Sequence, residues 1–251
     1  MMSTAEIHSR MIHRLLAAQT PWGRMRLGMY LSLKRLLWLG VVRGTVLTKR
    51  VVDVVVSAVL LLLLSPFLII VAILVKLDGG QVLFGQTRVG LLGHEFKMLK
   101  FRSMCVNAEA RLKEVAALNE KTEGVTFKIK NDPRITRIGR LIRKTSLDEL
   151  PQLINVLRGD MSLVGPRPAL QREVALYTEK DRRRLLVKPG LTCLWQVGER
   201  EGRFFEIGDR NKIDFNEQVS LDVRYIESQS LARDLWLLAK TVPAVLLGKG
   251  M

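Results

Sequence analysis

Residues 54–75 read VVVSAVLLLLLSPFLIIVAILV, a run of 22 residues without a single charged side chain. As a straight helix this run would rise about 33 Å, which is enough to cross the hydrocarbon core of a bilayer. It starts too late in the chain, is too long and lacks the small-residue cleavage pattern of a secretory signal peptide. The run therefore predicts a membrane helix, and the rest of the chain is interpreted around it.

Two topologies fit this segment: one crossing of the membrane, or a re-entrant helix that enters and leaves by the same face. Hydropathy alone favours a crossing. However, Ser65-Pro66 lies near the middle, where proline removes a backbone hydrogen bond and bends a helix, and the serine hydroxyl can satisfy a freed carbonyl. Residues 20–50 hold seven Lys/Arg and no acid, and residues 76–102 hold five Lys/Arg and two acids. Because the positive-inside rule places both flanks on the cytoplasmic side, the sequence favours a re-entrant helix broken at Ser65-Pro66.

Two other segments combine apolar and basic residues in the manner of interfacial helices. Residues 22–39 read WGRMRLGMYLSLKRLLWL and predict a helix lying in the membrane interface, with packing on the protein itself as the alternative. Residues 231–247 have the same character, and Trp236 suits the headgroup zone. A chain with three such segments is expected to lie on a membrane and partly in it.

The composition agrees with a membrane element attached to a charged domain. Apolar residues make up 48% of the chain and charged residues 25%, with a net charge of +16. Such a charge predicts an acidic partner, which is nucleic acid, anionic lipid or a phosphorylated substrate. Cys105 and Cys193 are the only cysteines, and the three histidines are scattered, so neither a disulfide framework nor a zinc site is indicated.

The polar part of the chain predicts a mixed, helix-rich α/β domain with a few short strands. Residues 81–90 and 94–104 have strand patterns, and alternation in the second places Lys97 and Lys100 on opposite faces. Residues 106–121 have a helix pattern. The predicted division of the chain is a basic amphipathic extension (1–48), a membrane helix (49–78), a globular domain (79–230) and a C-terminal amphipathic helix with tail (231–251).

Two adjacent acids, Asp148 and Glu149, lie in SLDELP (146–151), within the most basic part of the chain. Ser146 followed by Glu149 three residues later is a capping box, which would begin a helix that ends at Gly159. On this interpretation Glu149 only caps the helix and Asp148 only complements its dipole.

The basic neighbours of these acids support a second interpretation, a phosphate-binding site. The preceding RLIRK (140–144) and Arg167 can bring several guanidinium groups to the same helix N-terminus. An Asp148 kept ionised there would be a nucleophile, and Glu149 could hold Mg²⁺ against a diphosphate. Acids among arginines are what phosphoryl chemistry requires, because charge is neutralised first and a nucleophile is then aligned.

Taken together, the motifs of the chain resemble those of the bacterial sugar transferases that are monotopic polyprenyl-phosphate phosphoglycosyl transferases. The resemblance runs from about Lys49 to about Lys240. It rests on these stretches, in order: KRVVD (49–53), LLSPF (63–67), QTRVG (86–90), KFRSM (100–104), DPRITRIGRLIRKTSLDELPQ (132–152), NVLRGDMSLVGPRP (155–168), KPGLT (188–192) and LDVRY (221–225).

The resemblance implies a function and a set of site residues. In this family a re-entrant, Ser-Pro-broken helix carries a catalytic domain, here 79–230, on the cytoplasmic face of the bacterial inner membrane. The implied reaction transfers a sugar 1-phosphate from a UDP-sugar to undecaprenyl phosphate, with release of UMP and a covalent phosphosugar-aspartate intermediate. The implied site residues are Asp148 as nucleophile, Glu149 as Mg²⁺ ligand, and Arg143, Arg167, Arg200, Lys100 and Arg102 as substrate-binding residues.

The chain departs from the family pattern in two places. Residues 196–200 read QVGER where many members read Q-V-x-G-R, so an acid replaces glycine next to Arg200. The four-helix membrane region of larger members has no counterpart in residues 1–48, which predicts the compact form of the enzyme. Which sugar is transferred is not fixed by the sequence, because recognition depends on loops around 192–215, and homo-oligomer formation is left open.

Three other classes of protein compete with this interpretation. A Leloir-type glycosyltransferase is the nearest, and it would release UDP in place of UMP. A membrane-tethered nucleic-acid binder would explain the charge, but the chain has neither an aromatic stacking set nor a known binding module, so no nucleic acid is expected. A non-catalytic scaffold would have lost the acidic pair, which is intact here.

Overall fold

The computed structural model describes residues 19–108, 110–111, 132–197, 199–200, 203–204 and 213–246. The chain divides into two units, residues 1–49 and residues 50–251. The helix predicted over 106–121 lies for the most part outside the described residues, as does the beginning of the predicted extension.

The described residues form a mixed, helix-rich α/β structure, which confirms the predicted fold class. The helices are α1 (Pro21–Leu77), α2 (Arg137–Lys144), α3 (Gln152–Arg158), α4 (Gln171–Val174), α5 (Glu179–Arg182), α6 (Leu194–Val197), α7 (Phe215–Glu227) and α8 (Leu231–Leu246). The strands are β1 (Leu83–Val89), β2 (Glu95–Phe101), β3 (Ser162–Val164), β4 (Gly190–Thr192), β5 (Glu199–Arg200) and β6 (Arg203–Phe204). Short 3₁₀ helices cover Leu91–Gly93, Leu147–Glu149 and Arg183–Leu186.

Helix α1 contains the apolar run and continues through Pro66 without interruption. Its part from Gly44 to Leu77 is long and apolar enough to cross a membrane. The predicted break at Ser65-Pro66 is therefore not a break in the helix. The reason is local: proline cannot donate to the carbonyl of Leu62, and the Ser65 hydroxyl donates to that carbonyl at 2.8 Å. One side-chain hydrogen bond thus replaces the missing backbone bond.

Two charged residues at the beginning of the second unit join α1 to the polar domain. Arg50 donates to the carbonyls of Val156 and Leu157, at 2.5 and 2.7 Å, and so caps the C-terminal end of α3. One turn later, the buried carboxylate of Asp53 accepts hydrogen bonds from the Ser162 hydroxyl and the Leu163 backbone N–H, at 3.1 and 3.0 Å. The KRVVD motif is therefore an attachment point for the helix.

Strands β1 and β2 form an antiparallel hairpin that carries Lys100 toward the acidic pair. The two strands confirm the strand patterns predicted over 81–90 and 94–104, and the register pairs Leu83 with Phe101 and Val89 with Glu95. The buried side chain of Asn155 in α3 accepts from the Leu99 N–H at 2.9 Å and donates to the Lys97 carbonyl at 2.8 Å. Helix α3 thereby holds the free edge of β2 in a fixed register.

The core of the domain is formed where β2, α3, β3, α6, α7 and α8 meet. Its buried residues include Met98, Leu153, Val156, Met161, Leu163, Val164, Leu194, Val197, Tyr225 and Leu237. The parallel pair β3–β4 requires glycine at its end, because a Cβ on Gly190 would lie 2.0 Å from the Gly165 nitrogen. This close approach fixes the GPRP segment against the KPG turn.

Helix α8 confirms the helix predicted over 231–247, but it is in large part a core helix. Leu237 is fully buried and Trp236 packs against the same core cluster, whereas Leu231 and Leu235 are exposed. Trp236, which suits the headgroup zone, is half-buried beside the core. In the first unit, by contrast, Trp22 and Trp38 are 66% and 68% exposed.

Candidate active site

The acidic pair lies in a strained turn, and the capping box predicted at Ser146 is wrong. Ser146 adopts the left-handed conformation (φ 55°, ψ 17°) and its side chain caps nothing. Its N–H donates to the Arg143 carbonyl at 3.1 Å, so it occupies the position after the C-terminus of α2 where glycine is usual. The chain then makes a single 3₁₀ turn and α3 begins only after Pro151. The predicted end of the helix at Gly159 is confirmed, with φ 93°.

Asp148 is the buried member of the acidic pair. Only 8% of the residue is exposed, and among the described ion pairs none involves it. Burial raises the pKa of Asp148 to about 6; Lys100 and Arg143 lower it and Glu149 raises it, but burial dominates. The expectation that cations keep this acid ionised is therefore only partly met: at neutral pH it is mostly a carboxylate, and a basic one.

Glu149 faces Lys100 across the site. The Lys100 ammonium lies 2.6 Å from Glu149 Oε1, and both side chains remain partly exposed. The opposite face of β2 carries Lys97, whose ammonium donates to the Thr87 hydroxyl at 2.8 Å. The alternation predicted for these two lysines is confirmed, and it brings only Lys100 to the acidic pair.

Arg88 is a residue of this region that sequence reasoning did not assign. It is 6% exposed, and its guanidinium donates to Gln86 Oε1 at 2.7 and 3.2 Å and to the Pro168 carbonyl at 3.0 Å. Burial lowers the pKa of Arg88 to about 10; nearby Arg167 also lowers it, and Glu173 and Glu149 raise it. Arg88 is thus close enough to both Glu149 and Arg167 for their charges to act on it. An arginine within QTRVG, next to a strand end, was the available sequence signal.

Arg167 borders a second polar cluster that is structural. Arg184 lies 2.6 Å from the carboxylate of Asp222, in an ion pair that is almost completely buried, and its Nη1 donates to the Tyr177 hydroxyl at 3.2 Å. Burial raises the pKa of Asp222 to about 6, against the opposing effects of Arg184 and Trp195. A small pocket that is open to solvent is lined by Arg167, Tyr177 and Arg184.

The remaining predicted residues are not all brought together. Arg143 lies in the last turn of α2 and acts electrostatically on Asp148. Arg102 donates instead to the carbonyls of Val75 and Gln81, both at 2.8 Å, and so caps the end of α1. Arg200 lies in β5, but its side chain is outside the described residues. The family resemblance implied a substrate-binding role for Arg102, whereas the described contacts of its side chain are with the end of α1 and with Gln81.

The donor set fits a Mg²⁺ ion that also binds a diphosphate. No group of three or more His, Cys, Asp or Glu occurs among the described residues. Magnesium, however, commonly takes one or two carboxylates and completes its shell with water and substrate phosphates. Asp148 and the partly exposed Glu149 supply such a pair.

Comparison with known proteins agrees with this geometry. The sequence pattern of the family described as Bacterial sugar transferase matches residues 44–248. The chain is 42% identical over 208 residues to the exopolysaccharide production protein ExoY of Rhizobium meliloti, covering 81% of this chain and 88% of that protein. It is 43% identical over 211 residues to the undecaprenyl-phosphate galactose phosphotransferase of Salmonella typhimurium, and 44% identical over 204 residues to the galactosyl transferase CpsE of Streptococcus agalactiae serotype III.

The aligned fraction of each chain shows how far the similarity to the last two proteins extends. The matches cover 83% and 81% of this chain but only 42% and 43% of those two relatives. The matched part includes the acidic pair, Lys100, Arg143, Arg167 and the apolar half of α1. The chain therefore belongs to the bacterial sugar transferase family.

Proposed function

We propose that this protein is a phosphoglycosyl transferase that moves a sugar 1-phosphate from a UDP-sugar to undecaprenyl phosphate. The observation that carries the proposal is Asp148: a buried carboxylate, free of any described ion pair, with Lys100 and Arg143 acting on it and Glu149 beside it. Family membership supports the same conclusion, as does the relative in Salmonella typhimurium that is named an undecaprenyl-phosphate galactose phosphotransferase.

In the first half-reaction, a carboxylate oxygen of Asp148 attacks the β-phosphorus of the UDP-sugar. The bond from that phosphorus to the bridging oxygen breaks, UMP leaves with this oxygen, and the phosphosugar remains on the aspartate as an acyl phosphate. A pKa of about 6 suits the step, because the group is ionised at neutral pH yet more nucleophilic than an ordinary aspartate. Lys100, Arg143 and Arg167 neutralise phosphate charge.

In the second half-reaction, a phosphate oxygen of undecaprenyl phosphate attacks the same phosphorus and releases Asp148. The product is a lipid-linked diphosphate sugar, and the enzyme is regenerated without net proton transfer to the aspartate. Asp148 must therefore be both a good nucleophile and a good leaving group, and an intermediate pKa suits both steps. When bound, Mg²⁺ would supply further charge neutralisation, held by Glu149 with Asp148 beside it.

We further propose that α1 is inserted from the cytoplasmic face of the inner membrane and does not cross it. Both ends of its apolar run contact the same polar domain: Asp53 bonds to β3, and Val71 and Val75 pack on Phe101 and Ile142. If the helix crossed the membrane, these ends would lie on opposite sides of a hydrocarbon core about 30 Å thick, and one polar domain could not contact both. The basic flanks on both sides support the same topology.

The closest alternative is a glycosyltransferase that moves the sugar without its phosphate. The two reactions differ in the released nucleotide, which is UMP for phosphoglycosyl transfer and UDP for glycosyl transfer. We would purify the protein in a neutral detergent, add Mg²⁺, undecaprenyl phosphate and a panel of UDP-sugars that includes UDP-galactose and UDP-glucose, and quantify UMP and UDP separately.

The outcomes separate the two proposals. UMP released from one donor, and lost in the Asp148→Asn variant, would establish phosphoglycosyl transfer and identify the sugar together. UDP from any donor would replace the proposal by the alternative. UMP release that survives Asp148→Asn would place the nucleophile elsewhere.

A further inference from the structure

The outward face of α2 is cationic with one apolar side chain. Arg137, Arg140 and Lys144 are exposed, Leu141 between them is 59% exposed, and the helix sequence RIGRLIRK contains no acid. None of these four residues belongs to the acidic pair's immediate surroundings. An exposed leucine among three cations is the composition of a surface that meets a bilayer interface.

The inward face of α2 places this surface beside the membrane helix. Ile142 is 2% exposed and packs with Val71 and Val75, in the last turns of the apolar run, and Ile138 packs on the same cluster. On the proposed function, on which this inference rests, these turns lie where the apolar run reaches the membrane surface. The cations of α2 then stand at the level of the headgroups.

The orientation of α2 is fixed by a close backbone approach. A Cβ on Gly139 would lie 1.9 Å from the Ser103 carbonyl oxygen, so only glycine fits where α2 meets the end of β2. The hydroxyl of Thr136 accepts from the Gly139 N–H at 2.9 Å and caps the helix. The helix cannot rotate its cations away without breaking these contacts.

We propose that this face binds the anionic phospholipid headgroups of the surrounding leaflet, with Leu141 entering the interface. The partner is the bulk lipid and not the polyprenyl phosphate acceptor. Binding of this face would also position the acidic pair. Because Arg143 belongs to the same helix and acts on Asp148, α2 bound to headgroups holds the acidic pair at the depth of a lipid phosphate. An anionic leaflet attracts each surface Lys or Arg independently, which predicts additive contributions.

The test compares three variants in neutral-detergent micelles supplied with equal amounts of phosphatidylglycerol and phosphatidylcholine. Bound lipid is counted by native mass spectrometry. The first variant is Arg137→Gln/Arg140→Gln/Lys144→Gln. Its control, Lys180→Gln/Arg182→Gln/Arg224→Gln, removes three exposed cations elsewhere, and Arg137→Lys/Arg140→Lys keeps the charge. Thermal unfolding of each variant checks that the fold is retained.

The wild type is expected to prefer phosphatidylglycerol over phosphatidylcholine. In the first variant this preference should be lower by about fivefold for each neutralised cation of α2. The control and the lysine variant keep the preference, and salt weakens it in the wild type. An equal preference in all four proteins would overturn the proposal. So would an unchanged preference with a raised KM for undecaprenyl phosphate, which would assign the face to the acceptor.

Failure of the proposed function has a different signature. UMP release measures the reaction, whereas lipid preference does not require turnover. If the wild type releases no UMP but shows the lipid preference, the proposed function fails and the docking surface stands.

Discussion

Asp148 and Asp222 are both buried aspartates whose pKa burial raises to about 6, yet their surroundings differ. Asp222 lies 2.6 Å from Arg184, in a pair covered by aromatic rings, whereas Asp148 lies in a strained turn with its cations at longer range. A shifted pKa alone therefore does not identify a catalytic acid. The two differ in their partners and exposure: Asp222 is 1% exposed and paired with Arg184, whereas Asp148 is 8% exposed and belongs to none of the ion pairs among the described residues.

The largest predicted difference is between the asparagine variants of these two acids. Asp148→Asn should lower UMP release by about a thousandfold or more, since it removes the nucleophile. Asp222→Asn leaves Arg184 buried without its carboxylate and should cost about 3–5 kcal/mol of stability. Nucleotide assays and thermal unfolding in micelles measure both quantities on both variants.

Asp148→Asn should also stabilise the protein near neutral pH. The folded pKa of about 6 lies above the ordinary value of 3.8, so the folded state holds the proton more tightly. The stability that this group contributes is present below pH 3.8 and is lost as the pH rises toward 6. A melting temperature of Asp148→Asn below that of the wild type at pH 7.5 would show that the acid is a structural partner like Asp222.

Lys100 and Lys97 of β2 allow a second comparison, between a lysine at the acidic pair and one on the opposite face of the strand. Lys100→Met removes the charge that most lowers the pKa of Asp148 and should lower kcat/KM about a hundredfold. Lys97 lies on the other face of β2, so Lys97→Met is the matched control. Its activity should be close to that of the wild type. The measurement is the steady-state rate of UMP release by each variant. An equal loss of activity in both would mean that the substitutions disturb strand β2 and not specifically the site.

The pH dependence of kcat/KM should report the ionisation of Asp148. Below pH 6 the rate constant should fall about tenfold per pH unit, and above it should level off, because only the carboxylate attacks phosphorus. In Lys100→Met the midpoint should move to higher pH, whereas in Lys97→Met it should stay. A profile without an acidic limb between pH 5 and 7 would contradict the assignment.

The smallest predicted effect concerns the turn itself. Ser146→Gly removes the cost of a left-handed serine and should stabilise the protein by about 1 kcal/mol. The matched control is Ser220→Gly in the exposed middle of α7, which should destabilise slightly because glycine is a poor helix former. Thermal unfolding measures both, and a destabilised Ser146→Gly would mean that the turn is held by the serine side chain.

Local patterns predicted the fold where local chemistry decides it. The alternation in 94–104 predicted β2, and Gly159 predicted the end of α3. The predicted capping box is absent for two reasons. Lys100, which is 49 residues away in sequence, attracts Glu149, and the end of α2 places Ser146 in the left-handed conformation. The uninterrupted α1 differed from expectation because the Ser65 hydroxyl replaced the lost backbone bond.

The candidate site was also predicted only in part, because some of its residues belong to sequence motifs and others meet only in the folded structure. Asp148, Glu149, Arg143 and Arg167 came from motifs, and in the structure Glu149 and Arg143 both act on Asp148, while the charges of Glu149 and Arg167 act on Arg88. Arg88 and the Arg184–Asp222 pair depend on contacts between distant segments, which no local pattern encodes. Arg102 has the right neighbours in sequence, but its side chain turns to the end of α1.

The most direct test of the account is whether Asp148 becomes covalently phosphorylated by the sugar donor. The protein would be incubated with the accepted UDP-sugar and Mg²⁺ without undecaprenyl phosphate, quenched, and analysed by intact-mass and peptide mass spectrometry. The account predicts one UMP per protein and one sugar-phosphate mass on the peptide containing Asp148, discharged when undecaprenyl phosphate is added. UMP formed only in the presence of the acceptor, with no mass added to the protein, would contradict it and indicate direct transfer.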